Sequence, residues 1–164
     1  MRIYFAAPLF NAAEQRFNAR LTWQLEERGH RVFLPQRDGF EMATVDRSAT
    51  TPSAEELRRK VFELDTSEIL AADVVLAVLD GRVPDEGVCV EIGIAWATRA
   101  ADPGRGNVRI IGLRTDARSW LPNDPLNPML SEALDALFPD EQELLSWLVS
   151  LENEDPGADE QATD

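Results

Sequence analysis

Cysteine, histidine, lysine and tyrosine each occur once in the 164-residue chain, as Cys89, His30, Lys60 and Tyr4. A single cysteine rules out an intrachain disulfide, which suits a cytoplasmic protein. One cysteine and one histidine also leave too few of the usual ligands for a structural zinc site, so no metal is expected. Cys89 lies in the apolar run Val88-Cys89-Val90 and reads as a small buried filler. A catalytic thiol would need a base beside it. His30 stands between Gly29 and Arg31 in an expected turn. No stretch approaches the roughly 20 apolar residues of a membrane helix. Residues 1–8 are too short for a signal peptide and read as a buried first strand. The phosphate-binding patterns G-x-G-x-x-G and G-x-x-x-x-G-K-[ST] are missing, as is the G-x-S-x-G elbow. Their absence disfavours dinucleotide, NTPase and hydrolase-triad chemistry, and no cofactor is expected.

Positive charge is also scarce: 16 basic residues face 30 acidic ones, a net charge of −14. Such a chain repels nucleic acid and anionic membranes, so neither is expected as a partner. Acid-rich and lysine-poor, the composition points to a halophilic source, where salt screens the self-repulsion. Solubility charge combined with a genomic preference for Arg and Ala is the plainer alternative.

The order of elements is alternating. Residues 2–7 form an apolar strand ended by Pro8, and Asn11 caps a helix over about 12–28. Its apolar positions are Ala13, Phe17, Leu21 and Leu25, and Gly29 closes it. Arg31-Val32-Phe33-Leu34 is a second strand stopped by Pro35, followed by a polar loop over 36–52. Ser53 with Glu56 makes a capping box for a helix whose apolar face is Leu57, Val61, Leu64 and Ile69. Residues 73–79 are almost unbroken apolar, as in a central parallel strand buried on both faces. A turn over 80–86, a helix over about 88–100 and a strand over 108–113 follow. A proline-punctuated loop ends near Pro128, a short helix or strand occupies 129–138, and Asp140 caps a last helix to about 151. Residues 152–164 carry six acidic and no basic side chains and are expected to be a disordered tail to a single domain over 1–151.

This alternation predicts a three-layer α/β sandwich: a flavodoxin-like, parallel five-stranded sheet, order 2-1-3-4-5, with helices on both faces. Ligands in such sheets bind beyond the carboxyl ends of the strands. Segments 8–11, 36–39, 80–86 and 114–116 are thereby selected.

The sharpest cluster is Pro84-Asp85-Glu86-Gly87-Val88-Cys89-Val90-Glu91-Ile92-Gly93, where the central strand gives way to a helix. Gly87 suits a tight turn into that helix. Glu91 is expected in or near the first turn, where the helix dipole favours an ionised carboxylate. It is then either a carboxylate nucleophile or an ordinary dipole-stabilising glutamate. Paired carboxylates serve glycosyl chemistry, one attacking the anomeric carbon and the other handling the leaving group's proton. Asp85 is the nearest partner, unless it caps the helix. Asp65 is another, unless it sits on a solvated helix face.

Four segments, taken in order and spacing, resemble the nucleoside 2-deoxyribosyltransferases. They are Tyr4-Phe5-Ala6-Ala7-Pro8-Leu9-Phe10-Asn11, Phe33-Leu34-Pro35-Gln36-Arg37-Asp38-Gly39, Pro84-Asp85-x-Gly87-x-x-x-Glu91-Ile92-Gly93 and Gly112-Leu113-Arg114-Thr115-Asp116. The resemblance implies that Glu91 is a nucleophile forming a covalent deoxyribosyl-enzyme, and that Tyr4 hydrogen-bonds and positions it. It implies that Asp65 and Asp85 lie near the base and its proton transfer, and that Phe10 lines the nucleoside pocket. Gln36 and Asp38 fall where family members contact the base. Asn127, in Asn127-Pro128-Met129, resembles an asparagine that reaches the sugar 5′-hydroxyl of a neighbouring subunit, which implies a homo-oligomer. The residues alone admit plainer roles: Tyr4 as a strand residue, Phe10 as core, Asn127 as a turn former. The implied partners are nucleosides and free nucleobases. The implied activity is transfer of 2-deoxyribose between bases, with N-glycoside hydrolysis of nucleosides or their 5′-monophosphates as the alternative on the same scaffold. A noncatalytic nucleotide sensor of the same fold is the third reading.

Overall fold

The computed structural model of the chain describes residues 1–40, 53–102, 108–116 and 126–154. Five strands, β1 (Arg2–Ala6), β2 (Arg31–Phe33), β3 (Val74–Val78), β4 (Arg109–Leu113) and β5 (Ala136–Phe138), form one sheet of order β2-β1-β3-β4-β5. Every neighbouring pair is parallel. The expected fold and strand order are the observed ones. β3 lies at the centre and all five of its residues are buried, which is why it reads as an unbroken apolar run.

Side chains alternate between the two faces of the sheet. Ile3 and Phe5 of β1 and Val74, Leu76 and Val78 of β3 pack with Leu21 and Leu25 of α1 (Ala12–Glu26) and with Leu144 and Leu148 of α6 (Glu141–Glu154). Tyr4, Ala6, Val75 and Ala77 face the other way. They meet Ile69 of α3 (Ala54–Leu70) and Val88, Ile92 and Ala95 of α4 (Glu86–Ala101). Two short helices, α2 (Pro35–Asp38) and α5 (Pro128–Ser131), complete the described elements. Among the described residues no helix is long and apolar enough to cross a membrane.

The helix caps follow the sequence. Asn11 accepts from the Ala13 and Glu14 amides, and Ser53 forms a capping box with Glu56. Gly29 adopts φ 85°, a left-handed conformation that a side chain would strain, and so turns the chain from α1 towards β2. Asp140 accepts from the Glu143 amide at the start of α6.

Several boundaries move. Pro35 does not merely end β2: its ring suits the first position of a helix, and α2 takes residues that were expected to open a loop. Most of that loop, 41–52, lies outside the described residues, as do 103–107, 117–125 and 155–164. The 129–138 stretch holds both a helix and a strand, α5 and β5. α4 starts two residues early, at Glu86, because Asp85 is its N-cap. α6 runs to Glu154, three residues past the expected end of the last helix. Ala13 is exposed, and the inner face of α1 includes Asn18 and Thr22.

Leu76 is fully buried in the central strand. Leu76→Ala is therefore expected to lower unfolding stability by roughly 2–5 kcal/mol. A urea midpoint equal to that of the parent would show that this strand is not the core.

Candidate active site

In the order β2-β1-β3-β4-β5 the connections leave β1 and β3 towards opposite faces, and the crevice between their carboxyl ends is the switch point of the sheet. Tyr4 projects from β1 into the layer formed by α3 and α4, fully buried. Its ring stacks on Phe33 of β2 at 5.7 Å between centroids, with 12° between planes. That packing leaves the phenol one direction. Its hydroxyl donates to Glu91 Oε1 at 2.6 Å, across 87 positions of sequence.

Glu91 reaches this point from the second turn of α4. Of the positions expected, in or near the first turn, it takes one just past that turn, because Asp85 rather than Gly87 opens the helix. Asp85 Oδ1 accepts from the Gly87 and Val88 amides, at 2.9 Å and 3.2 Å. A Cβ at Gly87 would lie 3.0 Å from Asp85 Oδ1, so any side chain there would make the cap give way by a few tenths of an ångström. The dipole acts mainly within the first turn, so it is not what governs the charge on Glu91. Burial does, and it raises the carboxyl from the ordinary 4.5 to about 7. The Tyr4 hydrogen bond opposes this rise, and the charges of Asp65 and Asp85 add to it. Asp65, on α3, is raised to about 6 by burial and by the neighbouring Glu68. Tyr4 is held firmly protonated, by burial first and then by the Glu91 charge. A hydroxyl that cannot ionise is a dependable donor to a carboxylate that can.

Tyr4, Glu91, Asp65 and Asp85 thus form one interacting group. Partly buried carboxylates clustered this way can stabilise a cation, attack an electrophilic carbon, or hold a proton close to neutrality. Among the described residues no set of three or more potential metal ligands is assembled.

The remaining sequence-selected residues sit elsewhere. Phe10 is 77% exposed on the loop after β1, so it is not core. Gln36, on α2, accepts from Asn18 and donates to the Gln15 carbonyl. Asp38 accepts from the Leu34 amide and pairs with Arg37, an arrangement that holds its carboxyl below the usual range despite partial burial. Asn127 caps α5 by accepting from the Met129 amide at 2.9 Å, and leaves Met129 exposed.

One feature of the crevice escaped the sequence reading. Asp80 and Asp116, at the ends of β3 and β4, clasp each other's loops. Asp80 accepts from the Asp116 amide at 2.9 Å and from the Thr115 hydroxyl at 2.7 Å. Asp116 accepts from the amide of Gly81, whose φ is 108°. The segments 80–86 and 114–116 were marked by topology, but nothing in their spacing told that they are tied together. The clasp fixes where the loop carrying Asp85 departs.

The profile of the family described as nucleoside 2-deoxyribosyltransferase matches residues 3–157. No curated protein matches the chain. Among solved structures, a conserved protein from Enterococcus faecalis is 27% identical with a TM-score of 0.74, over 92% of this chain and 98% of that one. A 2-deoxyribosyltransferase from Bacillus psychrosaccharolyticus is 22% identical with a TM-score of 0.66, over 88% and 90%. A 2-deoxyribosyltransferase from Leishmania mexicana is 19% identical with a TM-score of 0.57, over 91% and 97%. The last two likenesses bear on the fold.

The raised Glu91 carboxyl carries a stability signature. Between pH 4.5 and about 7 the folded chain holds a proton on Glu91 that the unfolded chain has released. Stability therefore falls as pH rises through that window, by on the order of 3 kcal/mol for this group. Glu91→Gln keeps an acceptor for Tyr4 and removes the titration. Urea unfolding of the parent should accordingly lose ground to the variant between pH 5 and 8, and parallel pH profiles would contradict the burial of this carboxylate.

Proposed function

The chain belongs to the nucleoside 2-deoxyribosyltransferase family, and from that membership we propose that it moves 2-deoxyribose between nucleobases through a covalent deoxyribosyl ester of Glu91. The observation that carries this reading is the 2.6 Å hydrogen bond from Tyr4 to a partly buried Glu91. It holds one carboxylate oxygen and leaves the other to react. Burial also weakens the solvation of the anion, which makes it a stronger nucleophile.

The free oxygen of Glu91 attacks C1′ of a 2′-deoxynucleoside. The C1′–N bond breaks, its electron pair leaves with the base, and a proton reaches the base at or through Asp65 or Asp85. Asp65 suits the donor's part as a relay: its raised carboxyl takes up the proton that Glu91, raised further still, gives up before it attacks. Asp85 has one oxygen committed to the α4 cap. The transition state has oxocarbenium character. Surrounding carboxylates oppose the charge on Glu91, yet favour positive charge at C1′. A 2′-deoxysugar eases that development, having no 2′-oxygen to withdraw electrons. A second base then attacks C1′ of the ester from the vacated side and regenerates Glu91. Two displacements give net retention. Water at that stage would give deoxyribose, so its exclusion separates transfer from hydrolysis.

The substrates are nucleosides and free nucleobases, with Phe10 against the base and Asn127 serving the sugar 5′-hydroxyl of a neighbouring subunit in a homo-oligomer. Asp38 is assigned to the base by the family resemblance, and Gln36 serves it indirectly, its amide being engaged by Asn18 and Gln15. The lone cysteine and the acidic surface fit a cytoplasmic enzyme of a salt-rich cell.

Glu91→Ala is expected to reduce base exchange by a factor of 10⁴ or more on the order of a lost nucleophile, with an unchanged circular dichroism spectrum. The assay follows a deoxynucleoside with and without a second free base. Full exchange by the variant removes the mechanism, and free deoxyribose as the main product of the parent reassigns it to hydrolysis. A second outcome concerns the subunits. Glu91→Ala and Asn127→Ala oligomers, each weak alone, should regain activity when dissociated and reassembled together, because mixed pairs contain an intact site. No recovery in verified mixed oligomers would confine Asn127 to capping α5.

A further inference from the structure

Asn18 is an amide on the inner face of α1, beside Leu21 and Leu25, and is only 2% exposed. An amide is not buried without partners except at a cost, so its presence there calls for bonds that an apolar residue would not make. Its Nδ2 donates to the Pro8 carbonyl at 2.9 Å and to Gln36 Oε1 at 3.0 Å. Gln36 Nε2 donates in turn to the Gln15 carbonyl at 2.8 Å, and Gln15 Nε2 donates to the Leu9 carbonyl at 2.8 Å. The same loop is held from its amides: Glu14 Oε2 accepts from Phe10 and Asn11 at 2.8 Å and 3.1 Å. Pro8 and Leu9 lie beyond the last residue of β1, so strand pairing does not claim their carbonyls. Side chains of α1 and α2 claim them instead.

The backbone around Phe10 is therefore fixed at Pro8, Leu9, Phe10 and Asn11, while the Phe10 ring itself remains exposed. We infer that the Asn18–Gln36 amide pair is a positioning device for the substrate base: it pins the loop after β1 so that the Phe10 ring is presented, already ordered, to the planar face of a nucleobase. An aromatic platform held in place loses little freedom when a base stacks on it, and so binds more tightly than a mobile one. Gln36 then acts through the loop, with both ends of its amide engaged by protein. This inference rests on the transferase reading for the identity of the ligand.

Gln36→Ala removes the pin from a half-buried position on a short helix and spares the core; Asn18→Ala removes it from the buried side. Gln36→Glu keeps the acceptor for Asn18 and loses the donor to Gln15, so it should fall between parent and Gln36→Ala. In both alanine variants the KM for a purine and a pyrimidine deoxynucleoside should rise roughly tenfold with kcat within about twofold, the pattern of lost ground-state binding. The Phe10 and Asn11 amides should exchange deuterium faster. In a Phe10→Ala background, Gln36→Ala should add nothing to KM, since the pin works through that ring. Unchanged KM in folded variants, unchanged amide exchange, or full additivity with Phe10→Ala would overturn the inference. A parent enzyme that exchanges no base would instead sink the transferase reading. The dissociation constant for the same nucleosides, measured by calorimetry, would then replace KM and still decide on the pin.

Discussion

The hydrogen bond from Tyr4 to Glu91 joins β1, a neighbour of the central strand, to the second turn of α4, and the arrangement of the crevice depends on it. Tyr4 is locked by Phe33 on one side and by the α3–α4 layer on the other, so the phenol cannot follow a carboxylate that moves. Glu91 must come to it. The helix that brings Glu91 is set by Asp85 at its start and by Val88, Ile92 and Ala95 against the sheet. A carboxylate held this way is short of water. Its raised affinity for a proton follows from that burial, with Asp65 and Asp85 adding to it and the tyrosine limiting it. The same conditions make an anion reactive towards a carbon that is becoming positive.

Two ties brace the walls on either side of that carboxylate. On the β1 side, Asn18, Gln36 and Gln15 hold the loop that carries Phe10. On the β3 side, the Asp80 carboxylate accepts from the Asp116 amide and the Asp116 carboxylate from the Gly81 amide, tying together the loops after β3 and β4. Both are built from polar side chains that accept from or donate to backbone groups beyond the ends of strands, where the ladder can no longer serve them. The sheet thus supplies a rigid base, and short polar ties extend that rigidity into the loops where ligands of such folds bind.

The fold was legible because its strongest signals are local and periodic. β3 betrays its central place by apolar residues on both faces, and the capping residues Asn11, Ser53 and Asp140 mark real helix starts. Errors occurred where one residue type serves two purposes. Pro35 ends a strand and begins a helix equally well, and the second use prevailed. Gly87 resembled a turn, whereas Asp85 had already capped α4, and that displaced Glu91 from the first turn to the second. Tyr4, Glu91, Asp65 and Asp85, all marked in the sequence, do interact with one another, but their electrostatics were not legible. Sequence placed Glu91 under a helix dipole that would favour charge, whereas its surroundings disfavour charge, because burial depends on tertiary packing that spacing does not report. Tyr4 could be paired with Glu91 only through the family resemblance, since 87 positions separate them. The Asp80–Asp116 clasp and the Asn18 pin carry no motif at all; they arise only when loops from different strands come together.

The central claim is that a sugar becomes bonded to Glu91. Rapid acid quench of the parent enzyme with a deoxynucleoside and no acceptor base, followed by proteolysis and tandem mass spectrometry, reads that bond directly. The account predicts a deoxyribosyl mass on the peptide containing Glu91, localised to that side chain and lost when a free base is added before the quench. An adduct on Asp85, Asp65 or Cys89, or base release with no adduct under conditions that trap esters, would contradict it.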